Sequence, residues 1–91
     1  MVKKKLLISG KVQGVSFRFH AHEMATKLEI IGWVKNLGDG RVELVIGGSK
    51  KATDTMIQWC YEGPPNAQVE NIELSDYASE LPSEPFNIRR D

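Results

Sequence analysis

A tight hairpin signal set between two amphipathic helical segments restricts the fold of this chain more than any other feature. Residues 32–48 read "GWVKNLGDGRVELVIGG". The central Gly38-Asp39-Gly40 suits the positive φ angles of a short hairpin turn. After it, Val42, Leu44 and Ile46 alternate with Arg41, Glu43 and Val45, the period of a half-buried strand. Before it, "FRFHAHEMATKLEII" sets Phe17, Ala21, Met24, Ala25 and Leu28 on one helical face. His22, Glu23, Thr26 and Lys27 fall on the other face, so a half-buried helix is expected over residues 18–30. Beyond the hairpin, Ala52, Met56, Trp59 and Cys60 repeat the helical spacing. Ser49 is placed to cap that second helix, and Gly63 with Pro64-Pro65 ends it.

Strands complete the pattern on both sides. "KKLLISGKV" predicts a first strand over residues 4–12, and "AQVENIELSDY" a fourth over 67–77. Val69 and Ile72 differ in parity within that fourth strand, which predicts a bulge or twist between them. "SELPSEP" reads as a loop, and "FNIRR" as a short final strand with Phe86 and Ile88 inward. The order is thus β-α-β followed by β-α-β with an extra short strand. Two such units pack as an α+β, ferredoxin-like split βαβ-βαβ sandwich: an antiparallel sheet with two helices on one face. The other face is expected to stay open to water or ligand.

A chain of 91 residues is expected to be a single domain, residues 1–91. Twelve basic residues balance twelve acidic ones, so no global field draws the protein to nucleic acid or a membrane surface. Locally the balance is uneven. Lys3, Lys4, Lys5, Lys11 and Arg18 lie early, while Glu70, Glu73, Asp76, Glu80 and Glu84 lie late. An anion site is therefore expected in the N-terminal third. Cys60 is the only cysteine, which excludes an internal disulfide and a paired-cysteine metal or redox motif. The opening "MVKKKLLISG" has only three consecutive apolar residues, too few for the core of a secretory signal. A cytoplasmic location is the expectation.

Several uses of such a fold are disfavoured. RNA-binding versions carry aromatic side chains on the central strands, and "RVELVIGG" has none. His20 and His22 stand two apart and face different ways on a helix, a poor arrangement for zinc and an ordinary one for half-buried helix residues. The stretch "GKVQGVSFRFH" is different. Gly10 and Gly14 bracket a strand-to-helix loop in which backbone N–H groups can converge on an anion, aided by the helix dipole. It matches neither common nucleotide fingerprint. A helix start already carries partial positive charge, so an acidic residue is expected there, yet this one offers Arg18. A guanidinium beside inward-pointing amides makes a cradle for a phosphoryl group. Asn36, ending the second strand, can serve the same pocket or simply satisfy the adjacent turn.

"GKVQGVSFR" followed by "GWVKNLGDGRVE" resembles the paired signatures of the acylphosphatase family, and the likeness runs on through "GPP" to the terminal "FNIRR". The resemblance implies metal-independent hydrolysis of the carboxyl–phosphate bond of acyl phosphates, with inorganic phosphate as product and no cofactor. Its phosphate loop corresponds to Gln13, Gly14, Val15, Ser16 and Phe17, its catalytic arginine to Arg18, and its water-positioning asparagine to Asn36. The implied partners are small molecules, neither nucleic acid nor membrane, and the implied state is a monomer. A non-catalytic module that binds phosphate-bearing ligands is the alternative. Two residues depart from the family pattern. Glu29 stands where a glycine often ends the first helix, which should alter that end because non-glycine left-handed caps are strained. Ser16 occupies a slot often held by glycine; it is expected to satisfy the loop's own backbone rather than act as a nucleophile.

Overall fold

The computed structural model describes residues 1–90; Asp91, which closes the expected 1–91 domain, lies outside them. The elements are β1 (Val2–Lys11), α1 (Phe17–Lys27), β2 (Ile31–Asn36), β3 (Val42–Gly48), α2 (Lys50–Glu62), β4 (Gln68–Asp76) and β5 (Asn87–Arg89). They form one sheet in the order β4-β1-β3-β2-β5. β1 to β4 pair antiparallel, as expected of two packed β-α-β units.

The sheet is not antiparallel throughout, which corrects the sequence-based expectation. β5 runs parallel to β2, with Trp33 opposite Asn87 and Lys35 opposite Arg89. The reason is directional. β5 starts from the end of the sheet where β4 finishes, so it must run opposite to β4; β2 already does so.

Alternation decides which face each strand residue covers. Leu6 and Ile8 of β1, Val34 of β2, and Val42, Leu44 and Ile46 of β3 point to the helices. There they meet Phe17, Ala21 and Ala25 of α1 and Met56 and Cys60 of α2. Each fully buried side chain of this size contributes about 1.5–3 kcal/mol. Phe17 and Trp59 bridge the helices, with ring centroids 5.4 Å apart. The early lysines and late acids meet across the sheet, as in the Lys4–Asp76 pair at 2.6 Å.

The expected irregularity in β4 is present. Ser9 pairs with Asn71 and Gly10 with Val69, so Glu70 is the extra residue of a bulge. Gly10 has φ 123°. A Cβ there would strike the Gln68 carbonyl oxygen and lie 2.8 Å from the Glu70 nitrogen, so only glycine fits beside this bulge.

α1 ends at Lys27, three residues before the expected boundary. Glu29 adopts the left-handed conformation with φ 57°. Ile30 N–H donates to the Ala25 carbonyl at 2.9 Å and Glu29 N–H to the Thr26 carbonyl at 3.2 Å. Those two bonds are the Schellman pattern, completed by the buried Ile30 against Ala25. The helix thus keeps the stop that glycine usually provides, at a strain of about 1–2 kcal/mol.

The face away from the helices is less open than expected. Val45 is fully buried and Trp33 only 7% exposed. The chain between β4 and β5 lies on this face: Tyr77 stands edge-on to Trp33 at 5.7 Å, and Leu81 lies against Gly47. Arg89 stacks 4.2 Å from the Trp33 ring centroid, and the indole N–H donates to Glu43 at 3.1 Å.

Candidate active site

β1 ends at Lys11 and α1 begins at Phe17, leaving a short loop anchored by the buried Val12 and Phe17. Between those anchors the backbone curls. Gly14 has φ 76° with open space around it, and Ser16 has φ 62° and ψ 28°. Successive N–H groups in such left-handed turns face a common concavity suited to an anion. Ser16 makes no side-chain capping bond, and the first turn of α1 holds no acid. The opening N–H groups of the helix therefore keep their donors free. The first helical bond runs from His20 N–H to the Ser16 carbonyl at 3.1 Å, and His20 Nδ1 lies 2.8 Å from the same oxygen. Both histidines are half-buried residues of the helix.

Asn36 arrives from the other side. It closes β2 opposite Val42, one residue before the hairpin turn. Leu37 N–H donates to the Arg41 carbonyl at 2.8 Å and Gly40 N–H to the Leu37 carbonyl at 3.2 Å, closing that turn. Asp39 accepts from the Arg41 backbone N–H at 3.1 Å and from its guanidinium at 2.8 Å. Those bonds, the backbone one foremost, hold the Asp39 carboxyl below its ordinary value.

Gln13 joins the loop to the hairpin. Its side-chain amide donates to the carbonyl oxygens of Leu37 and Arg41, each at 2.9 Å. Both amide protons are thereby committed, and the base of the turn is clamped against the loop. The expectation of a loop residue is met in position, while the side chain acts as a brace.

The two segments enclose a recess of ≈ 230 Å³. Gln13, Gly14, Ser16, Phe17, Arg18 and Asn36 all line it. Val15, the remaining residue of the expected loop, turns its side chain toward the core. Val12, Phe19, Ile88 and Arg90 also line the recess and were not anticipated. Strand alternation offered a signal for Ile88, which β5 turns to the opposite side from Arg89; Arg90 follows directly after β5. Among the described residues, no carboxylate lines the recess, whereas two guanidinium groups do. Cys60, the free thiol, lies buried in the core, and burial pushes its pKa up, which removes it from any nucleophilic role here. Among the described residues, no three His, Cys, Asp or Glu side chains cluster closely enough to hold a metal ion.

The acylphosphatase family profile matches residues 4–88, nearly the whole chain. The chain belongs to the acylphosphatase family. An acylphosphatase of Rubrobacter xylanophilus is 44% identical over 85 residues, covering 93% of this chain and 77% of that protein. The solved acylphosphatase of Coxiella burnetii is 40% identical with a TM-score of 0.90, covering 97% of this chain and 92% of that one. The Bacillus subtilis acylphosphatase structure gives a TM-score of 0.92 at 32% identity, over 98% and 99% of the two chains. Membership makes the chain an enzyme that hydrolyses acyl phosphates, acting on small molecules. No helix among the described residues is long and apolar enough to cross a membrane.

Proposed function

We propose that the recess binds the phosphoryl group of an acyl phosphate and that Arg18 and Asn36 carry its hydrolysis. The observation behind this reading is that one small recess is lined by both the Gln13–Arg18 loop and Asn36. The phosphoryl oxygens sit against the backbone N–H groups of Gln13 to Arg18, and the Arg18 guanidinium binds two of them at once. Asn36 holds a water molecule in line with the acyl oxygen. The carboxamide is not basic at neutral pH, so the proton of the attacking water passes to the phosphoryl group itself. The carboxylate then leaves and inorganic phosphate remains.

So sparse a site suffices because of the leaving group. An alkoxide must be protonated or bound to a cation as it departs. A carboxylate, whose acid has a pKa of about 4–5, leaves unprotonated near neutral pH. What remains is positioning and charge stabilisation around the phosphoryl group. Amides and one arginine supply the second, one asparagine the first.

The test is the loss of benzoyl phosphate absorbance in the presence of excess chelator. Turnover should proceed at the same rate with and without the chelator, and inorganic phosphate should inhibit competitively. Binding of phosphate without turnover would favour the non-catalytic module, and inactivation by the chelator would overturn metal independence.

A further inference from the structure

The recess holds one more cation than a single phosphoryl group needs. Its floor is closed by Val12 and Phe17, 1% and 2% exposed, with Arg18 half-buried above them. Its rim carries Phe19, 55% exposed, and the exposed Arg90. A phosphoryl group seated on the loop is complemented by the amides and Arg18. The acyl part of the same molecule must then leave by the rim, past Phe19 and Arg90.

Among the described residues, Arg90 makes no side-chain hydrogen bond or ion pair. The neighbouring Arg89 points to the opposite face of the sheet and stacks on Trp33 at 4.2 Å. Ion pairs among the described residues use Lys4, Lys5, Arg41 and Lys50, and Arg90 takes part in none of them. Among the described residues, no carboxylate lines the recess beside it. The β2–β5 pairing ends at Lys35 and Arg89, and the next residue of each strand, Asn36 and Arg90, lines the recess.

We propose that Arg90 is a specificity-determining residue that favours acyl phosphates whose acyl part carries a second anionic group, a carboxylate or a phosphate. This inference rests on reading the recess as the acyl phosphate site. Because Arg90 is exposed, its contribution is that of a solvent-screened pair with good geometry, a preference of about fivefold.

Three aromatic acyl phosphates test it: benzoyl phosphate, 4-carboxybenzoyl phosphate, and the methyl ester of the latter, whose acyl part is uncharged. For the wild-type enzyme, kcat/KM for the carboxylate should exceed that for the ester about fivefold, mainly through KM. The preference should vanish in 1 M salt, where charges are screened within about 3 Å. Arg90→Ala should bring the ratio to about one, and Arg90→Lys should retain part of it. A wild-type ratio near one, or a ratio unchanged in Arg90→Ala, overturns the proposal. So does an equal loss on all three substrates, which would place Arg90 on the transferred phosphoryl group. The wild-type salt series reads the preference independently of any variant's folding. Failure of the wild type to hydrolyse benzoyl phosphate would be a separate result, overturning the acyl phosphate site and this inference together.

Discussion

Ser49 opens α2 in an extended conformation, φ −66° and ψ 160°, and its hydroxyl accepts from Ala52 N–H at 3.1 Å. Ser16 opens α1 in a left-handed conformation and its hydroxyl caps nothing. Neither helix has an acid in its first turn. At α2 the serine uses up an orphan donor, and the exposed Lys50 and Lys51 extend into solvent, Lys50 pairing with Asp54 at 2.8 Å. At α1 the donors stay open and the cation, Arg18, is half-buried in a recess. The same residue type thus begins two helices of opposite use. One start is finished by its own side chain and serves stability; the other is left for a ligand to finish.

The largest expected effects separate those roles. Arg18→Lys should lower kcat/KM about 10²–10³-fold, because an ammonium lacks the fork that meets two oxygens. Asn36→Ala should lower kcat about 10²-fold while phosphate binding persists, since it removes positioning and leaves the cradle. Near-normal turnover of Arg18→Lys in a benzoyl phosphate assay would break the view of α1 as an anion site.

Ligand-linked stability comes next. Inorganic phosphate at 100 times its Kd should stabilise the protein by about 2.7 kcal/mol, measured as a rise in Tm. The rise should be much smaller for Arg18→Ala, and α2 contributes nothing to it.

The cap itself is worth less. Ser49→Ala should cost about 1 kcal/mol in urea unfolding, whereas Ser16→Ala, with no capping bond to lose, should stay within about 0.5 kcal/mol of the wild type. Equal losses would show that Ser16 caps α1 in solution, and the contrast would fail.

The smallest effect isolates strain from ligand binding. Glu29 shares the left-handed conformation of Ser16 but does not line the recess. Glu29→Gly should gain about 0.5–1 kcal/mol, the relief of left-handed strain less the entropy cost of glycine, with kcat/KM unchanged. A loss of stability would mean the Glu29 side chain holds the helix end by a contact of its own.

What could be read in advance follows the range of the interactions involved. The hairpin, both helical faces, the Ser49 cap and the Glu70 bulge are written in spacings of a few residues, and they were legible. The parity break between Val69 and Ile72 was sufficient to place the bulge. α1 overran its true end because a non-glycine at the left-handed position reads as a continuing helix; the Ile30 and Glu29 bonds that compensate are invisible to propensity. The chain lying on the Trp33 and Val45 face was missed for a different reason. Tyr77 reads as the last residue of the fourth strand and Leu81 sits in a polar stretch without periodicity, while their partners Trp33 and Gly47 belong to strands far upstream. In the recess, Arg18 and Asn36 came from paired motifs. The Gln13 brace did not, since its acceptors are carbonyls 24 and 28 residues away and any residue could supply them. Arg90 was passed over because "FNIRR" reads as a strand with Phe86 and Ile88 inward, and which part of the molecule it borders is settled only by its pairing with β2.

That last pairing has a consequence in time. β5 joins β2 only after residues 77–86 have crossed the sheet, a longer-range contact than any that brings the Gln13–Arg18 loop to the hairpin. Closing so large a loop is slow compared with forming the Gly38–Gly40 hairpin. Ile88 and Arg90 therefore reach the recess last, after the loop and Asn36 can already have met. During refolding, turnover of an uncharged substrate should return before discrimination by charge does.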